Sequence, residues 1–347
     1  MLSFFIGDPV GDWANAGFEK FARFDHMNRI RSRAGVEPVR TCWKTGRFCC
    51  WSAGLGSGIR VTWPVQGKMP PMLKWFRFLS VWPLWALHAL GWLGGWLVWV
   101  LSPTYRRRFV DNARQAGLSL WDVLGAIGQT GCMSSELPRL WLGRPVPVQW
   151  ASDQAAADAY AAGQGVLFLT PHMGCFEVTA QALASRFGAA HGPLTVLYRP
   201  SRHAGLGEVM EQARSRPGLE AVPTTLAGVR QMIKALRSGH AVGLLPDQVP
   251  PEGMGQWAPF FGKPAYTMTL AARLAAQTGA RVVLIWGERL SWGRGFRLHT
   301  QTLGHDLSTD LGVAVVQINQ AMERVILSCP AQYLWGYARY KSPRLEG

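Results

Sequence analysis

His172 and Glu177 stand five positions apart, just where the apolar run Leu167-Phe168-Leu169-Thr170 stops at Pro171. A strand that ends in an imidazole and hands over to a helix beginning with an acid offers a titratable pair suited to proton transfer. In open α/β sheets such strand ends are where ligand sites form. On one continuous helix, positions five apart point about 140° away from each other and would not meet. The pair converges only if His172 lies in the turn and Glu177 in the first helical turn. Pro171 breaks the strand and Gly174 permits a tight backbone between them. A Glu in a first helical turn is also favoured by the helix dipole alone, whatever its chemistry.

A second strand end repeats the device. The run Ala241–Leu245 ends in Pro246-Asp247-Gln248, so His172 and Asp247 take equivalent places in two βα units, on the same sheet edge. Between them lie Tyr198-Arg199-Pro200 and Arg214-Ser215-Arg216, two arginine clusters able to hold a phosphate bidentately. Beyond Asp247, the stretch Trp257-Ala258-Pro259-Phe260-Phe261-Gly262-Lys263-Pro264 is too apolar for a solvated loop. It suits either a loop tucked under the core or a wall for an acyl chain, with Phe260 and Phe261 lining it.

The elements that must position these residues alternate. Helix is expected near 109–142, an extended piece at Val146–Trp150, and an Ala-rich helix at about 152–162. Strand Val166–Thr170, helix Glu177–Phe187 and strand Leu194–Tyr198 follow, then a helix over Gly205–Arg214. Thr224 is placed to cap a helix carrying Leu226, Val229, Ile233 and Leu236 on one face and closed by Gly239. Strand Ala241–Leu245, helix Thr267–Thr278 stopped by Gly279, and strand Arg281–Trp286 complete the pattern. This alternation predicts an α/β fold with a largely parallel sheet.

Upstream, Phe78 to Tyr105 is a run of 28 residues without Asp, Glu, Lys or Arg, carrying five Trp. As a helix it would extend roughly 42 Å, beyond the ~30 Å hydrocarbon core of a bilayer. Tryptophan favours bilayer interfaces, and Arg106-Arg107-Arg108 directly behind marks that side as cytoplasmic. His88 is the one ionisable group of the run, expected to be neutral and to face a neighbouring helix. The alternative is a buried helical hairpin of a soluble protein. Three divisions follow: residues 1–68, an irregular extension mixing Arg, Gly, Trp and Cys without period; residues 69–105, a membrane anchor; and residues 106–347, the domain that does the chemistry. Met69 and Met72 stand just before the anchor, so translation starting at either would leave the extension out of the native product.

The chain of 347 residues has a formal net charge of +15. Residues 1–68 hold 10 Lys/Arg against 5 Asp/Glu, so +10 remains on the rest. A basic surface suits a phosphorylated lipid, an anionic membrane face, an acidic carrier protein or nucleic acid. The six cysteines show neither zinc spacing nor a disulfide framework. P-loop, dinucleotide-binding, zinc-protease and nucleophile-elbow motifs are absent from the sequence.

His172-Met173-Gly174-Cys175-Phe176-Glu177 resembles the H-x4-D/E motif of glycerolipid-type acyltransferases. With Leu245-Pro246-Asp247-Gln248, Pro259-Phe260-Phe261-Gly262, the unit around Thr278-Gly279-Ala280 and the apolar helix with its Arg-rich junction, the ordered set looks like the lysophospholipid and lipid A late acyltransferase branch. The likeness covers roughly Met72 to Tyr340. It departs at Cys175-Phe176, where many members carry Asn-Trp. The resemblance implies a glycerolipid acyltransferase-like, mostly parallel sheet flanked by helices and preceded by one membrane helix. It implies transfer of an acyl chain from acyl carrier protein to a hydroxyl of a lipid A precursor in lipopolysaccharide biosynthesis. His172 is then the general base and Glu177 the partner that fixes its tautomer. Backbone N–H groups at the Glu177 helix start, or a nearby Arg, would meet the oxyanion. Arg199, Arg214, Arg216, Asp247, Gln248, Phe260 and Phe261 would contact substrate. No metal is required, and no cofactor beyond the carrier-bound acyl group. The partners are acyl carrier protein, a phosphate-bearing lipid acceptor and the inner membrane, not nucleic acid.

Three rival readings stand beside this one: a lysophospholipid or other membrane-lipid acceptor, a cysteine acyl-enzyme or thioesterase built on Cys175, and a basic binding module without turnover. The anchor itself is directly testable. Washing isolated membranes with high salt is expected to leave the protein embedded, and its full release would mark a peripheral protein held by charge.

Overall fold

The computed structural model describes residues 71–198 and 216–344. The expectations for residues 1–68 and for a helix over 205–214 lie outside them. At the centre of the sheet, β2 (Val166–Leu169) and β5 (Ala241–Leu244) are short apolar runs with almost every residue buried. Such strands need cover on both faces, which helix-flanked parallel pairing supplies. Around them stand β1 (Val148–Ser152), β3 (Leu194–Tyr198), β4 (Leu219–Pro223), β8 (Arg281–Arg289) and β9 (Phe296–Thr302). The seven strands run in the order β1-β9-β8-β2-β5-β3-β4. Strands β8, β2, β5, β3 and β4 are mutually parallel. β9 returns antiparallel to β8, and β1 lies parallel to β9. The sheet is therefore mixed but mostly parallel, as the alternation predicts.

Ten helices are described: α1 (Pro71–Ser80), α2 (Leu84–Leu101), α3 (Pro103–Gln115), α4 (Leu120–Ser135), α5 (Leu137–Leu142), α6 (Gln154–Ala161), α7 (Phe176–His191), α8 (Leu226–Arg237), α9 (Leu270–Thr278) and α10 (Leu311–Ser328). On one sheet face Val166, Phe168, Ala241, Val283 and Ile285 pack with Tyr160, Leu183 and Phe187 of α6 and α7. On the other, Leu167, Leu169, Val242, Leu244 and Leu284 meet Met232 and Leu236 of α8, Leu274 of α9 and Ile318 and Met322 of α10. The odd–even split along each strand is the period-2 alternation of a pleated sheet.

Several expectations need correction. The single helical stretch over 109–142 is three helices, α3 to α5, because Gly117 turns with φ 74° and Pro138 opens a new first turn. Thr225, not Thr224, caps α8 by accepting from the Gly228 N–H. Its buried face is Gly228, Met232, Ala235 and Leu236, whereas Leu226 is 79% exposed. Residues 255–268 are a hairpin of β6 (Gly255–Phe260) and β7 (Lys263–Met268), so α9 starts at Leu270 rather than Thr267. The supposed loop at Trp257–Pro264 is this hairpin, turning at Phe261 and Gly262 with φ of 48° and 75°.

Helix α2 is the one described helix long and apolar enough to cross a membrane. One side of it is seated on α4: Leu87, His88, Gly91 and Gly95 are buried, and the Ser135 hydroxyl donates to the Leu87 carbonyl at 2.6 Å. The other side, with Trp85, Leu93, Leu97 and Leu101, is exposed. Glycine makes the seat possible. A Cβ on Gly131 of α4 would sit 2.7 Å from the Gly95 nitrogen and on top of the Gly91 carbonyl. On the exposed side, a Cβ on Gly94 would meet nothing within 4 Å. Gly131→Ala is accordingly expected to cost about 1–3 kcal/mol by overpacking. Gly94→Ala should be neutral or stabilising by up to about 1 kcal/mol. Thermal unfolding in detergent micelles measures both, and equal midpoints for the two variants would contradict the close seat.

Candidate active site

Parallel register brings the two strand-end residues together. Leu169 of β2 pairs with Leu244 of β5 on one side and with Leu284 of β8 on the other. His172 and Asp247 each follow three residues after those paired leucines, at one height on neighbouring strands. The Asp247 carboxylate takes both bonds offered: His172 Nδ1 at 2.7 Å on Oδ1 and the His172 backbone N–H at 2.9 Å on Oδ2. Nδ1 is therefore the donor to that carboxylate, so in the uncharged form of the ring the lone pair belongs to Nε2. The imidazole lies 5.0 Å, centroid to centroid, from the Phe176 ring, and its side chain keeps 15% exposure.

Asp247 is fully buried, and burial alone would raise its carboxyl. The charge and hydrogen bonds of His172, with the more distant Arg339 guanidinium, outweigh that and hold it below the usual carboxylate range. A depressed value ties Asp247 to stability as well. Its contribution is complete above the unfolded carboxyl value, about 3.9, and is lost as pH falls through the lower folded one.

The turn carrying His172 is pinned by its backbone. The Gly174 N–H donates to the Gln332 carbonyl at 2.9 Å and the Cys175 N–H to the Gly287 carbonyl at 2.8 Å. The His172 carbonyl accepts from the Leu334 N–H at 3.1 Å, and Met173 bridges to Tyr333. Gly174 has φ 54°, and a Cβ there would strike the Gly287 carbonyl, so the position admits only glycine without displacement. The segment from Gln332 to Arg339 also reaches the Asp247 turn, where Tyr337 Oη accepts from the Val249 N–H at 2.9 Å. Asn112 of α3 fixes that segment in turn through the Trp335 and Tyr337 carbonyls, both at 2.7 Å.

Glu177 was the expected partner of Nδ1, and the structure gives that bond to Asp247. Glu177 lies in the first turn of α7 as expected, half-buried, and Trp141 Nε1 donates to its carboxylate at 3.2 Å. Its position five residues along the same chain is no substitute for a neighbouring strand end in register. Arg216 lies near it and directs its guanidinium to Gln181 Oε1 at 2.9 Å and to the Leu140 and Trp141 carbonyls. Arg199 and Arg214 lie outside the described residues. Gln248 is half-buried beside Asp247. Phe260 is buried under the Arg339 guanidinium, 4.7 Å from its ring centre. The Phe261 N–H donates to Glu323 at 2.6 Å, and its ring lies 6.1 Å from Trp335. The space enclosed there is about 10 Å³, the size of one water at most. Both rings are packed in this structure, against each other and against Trp335 and Arg339.

Sequence reasoning passed over Glu136 and Arg289, two charges buried under the His172 turn. Arg289 ends β8, and its Nε and Nη2 reach the Glu136 carboxylate at 2.8 and 2.6 Å. Nη2 also donates to the Gly174 carbonyl at 2.8 Å, and Nη1 to Gln129. His88 of α2 closes on the same carboxylate, Nε2 to Oε2 at 3.1 Å. Burial opposes both charges, but the pair overcomes it: Glu136 stays below the usual carboxylate range and Arg289 is raised. The available signal was position: Arg289 is a third polar group at the same sheet edge, and Glu136 a lone acid in an apolar stretch. Cys175 is buried beside them. Burial pushes its thiol well above the ordinary value and the Glu136 charge pushes it further, so it stays protonated. Among the described residues no group of three or more His, Cys, Asp or Glu is placed to hold a metal ion.

Residues 148–342 match the family described as bacterial lipid A biosynthesis acyltransferase, more than half of the chain. The lipid A biosynthesis palmitoleoyltransferase of Escherichia coli (strain K12) is 26% identical over 180 residues, covering 52% of this chain and 56% of that protein. The lipid A biosynthesis lauroyltransferase of the same organism is 28% identical over 194 residues, 55% of this chain and 60% of that one. A lipid A biosynthesis acyltransferase of Shigella flexneri matches at 26% over 180 residues, 52% of this chain and 56% of its own length. The chain thus matches little more than half the length of each relative.

The two candidate partners of His172 can be told apart without any substrate. The low-field NMR proton of Nδ1–H should vanish in Asp247→Asn and persist in Glu177→Gln. The reverse outcome would return the partner role to Glu177. If turnover depends on the Nδ1–H tautomer, Asp247→Asn should lower kcat by about 10²- to 10⁴-fold.

Proposed function

Because the chain belongs to the bacterial lipid A biosynthesis acyltransferase family, we propose that it transfers an acyl chain from acyl carrier protein to a hydroxyl of a phosphorylated lipid A precursor, at the cytoplasmic face of the inner membrane. The observation that carries this reading is the imidazole of His172, its Nδ1 proton held by a buried carboxylate and its Nε2 left as a base at the sheet edge. A hydroxyl is a poor nucleophile at neutral pH. Nε2 takes its proton as the oxygen attacks the thioester carbonyl, for about 10²- to 10⁴-fold. The carbonyl oxygen becomes an oxyanion, which the backbone N–H groups in the first turn of α7, a few residues after His172, are suited to meet. Collapse reforms the carbonyl as an ester, breaks the carbon–sulfur bond and releases the carrier thiol, which recovers the proton from Nε2. Asp247 stabilises the imidazolium throughout, and Glu177, half-buried in the same helical turn, adds a second negative charge to the site.

Membrane placement is supported by the exposed apolar side of α2, by Trp121 and Trp292 at 83% and 89% exposure, and by Arg106–Arg108 in α3, directly after that helix. Net positive charge speeds encounter with an acidic carrier protein and favours an acceptor bearing phosphate. Arg199, Arg214 and Arg216 remain the proposed phosphate contacts. The buried, protonated Cys175 thiol weighs against a cysteine acyl-enzyme. A lysophospholipid acceptor fits the same His172 chemistry and is the second reading.

Mass spectrometry of lipid A from cells with and without the protein tests the proposal. One acyl chain is expected to be missing without it. Unchanged lipid A, together with transfer by the purified protein to a lysophospholipid, would favour the second acceptor. In either assay His172→Ala should abolish most turnover, whereas Cys175→Ala should keep it within about tenfold. Loss of activity in Cys175→Ala, with an acyl adduct trapped on that peptide, would overturn the direct mechanism.

A further inference from the structure

We propose that Arg289 is a positioning residue for His172, acting through the Gly174 carbonyl, and that Glu136 holds Arg289 to that task. The proposal rests on the acyl-transfer reading for its kinetic consequences. Its geometry concerns the described residues alone.

The guanidinium of Arg289 is a planar fork whose donors divide among three partners, Nη1 going to Gln129 Oε1. Nε and one arm of Nη2 close on the two Glu136 oxygens. The remaining arm of Nη2 bonds the Gly174 carbonyl at 2.8 Å, two residues beyond His172. The main chain of Arg289 is equally constrained: Gln332 accepts from its N–H at 2.8 Å and donates to its carbonyl at 3.0 Å. Gln332 is also the residue whose own carbonyl takes the Gly174 N–H. Gly174 is thus gripped on both sides of one peptide plane pair by a single assembly of Arg289 and Gln332. Its positive φ depends on that grip, and the direction of the chain leaving His172 depends on it too. Glu136 cannot drift, because His88 of α2 holds it from the opposite element.

A purely structural ion pair has no need of this arrangement. Buried pairs replaced by apolar side chains of similar volume are often neutral or stabilising. The distinction lies in the bond to the catalytic turn, which an apolar pair would fill but not make. Lysine offers a different separation: it keeps the charge opposite Glu136 but has one compact ammonium instead of a fork.

The double variant Glu136→Leu/Arg289→Met and the single variant Arg289→Lys test the proposal in the full chain, purified in detergent. Both are compared with wild type in acyl transfer from acyl carrier protein to a phosphorylated lipid A precursor. Both are expected to keep the KM for each substrate within about threefold and to lose about 10- to 100-fold in kcat, the scale of a displacement near 1 Å at the reacting group. A second readout needs no substrate. The low-field NMR proton of His172 Nδ1–H should weaken or shift in the variants, because a displaced turn disturbs the 2.7 Å bond to Asp247. If the double variant does not fold, Arg289→Lys decides the matter alone. Unchanged kcat and an unchanged Nδ1–H resonance in a folded variant would overturn the proposal. Should wild type transfer no acyl group at all, the functional reading fails, and the Nδ1–H resonance still decides whether Arg289 positions the ring.

Discussion

An ionised carboxylate taken out of water costs several kcal/mol unless charges and hydrogen bonds replace its hydration. Two such groups lie under this site, Asp247 and Glu136, exposed by 2% and 1%. Much of the local architecture answers that requirement. Asp247 has the ring and backbone of His172, with Arg339 behind. Glu136 has the fork of Arg289 and the ring of His88. Neither carboxylate has a slack position. Whatever is bonded to them, including the His172 turn, inherits that fixity.

The legible part of the fold was the part written in contiguous residues. Apolar runs closed by breakers marked β2, β3 and β5 to within a residue, and alternation with helical periods gave a mostly parallel sheet. His172 and Asp247 were visible because each follows a strand directly. What failed depended on distance along the chain. The choice between Glu177 and Asp247 turns on strand register, and Glu177 was the nearer residue in sequence but not the bonded one. Arg289 and Glu136 are 153 positions apart, and no local pattern couples them. The hairpin at 255–268 was hidden by its two prolines, Pro259 and Pro264, which face each other across the ladder and read as loop residues when taken singly. In α8 the expected face of Leu226, Val229, Ile233 and Leu236 holds for Leu236, which is buried, and in part for the half-buried Val229 and Ile233, but Leu226 is exposed and Gly228, Met232 and Ala235 are buried instead.

Helix α2 has two characters at once. Glycines on one side let it lie against α4 at backbone contact, and large apolar side chains on the other remain uncovered. His88 belongs to the first side, and its bond to Glu136 ties the helix into the charged assembly beneath Gly174. The apolar helix is therefore continuous with the site in a chemical sense. Three successive polar contacts, His88 to Glu136, Glu136 to Arg289 and Arg289 to Gly174, join its seat to the His172 turn without crossing the sheet.

The segment from Gln332 to Arg339 touches the turns that carry both His172 and Asp247. It leaves the ribosome some 160 residues after His172. The Gly174 N–H, the His172 carbonyl and the Val249 N–H meet their partners only when it arrives, and its Tyr333 and Trp335 complete the main core. The arrangement around His172 is thus closed by residues synthesised long after it.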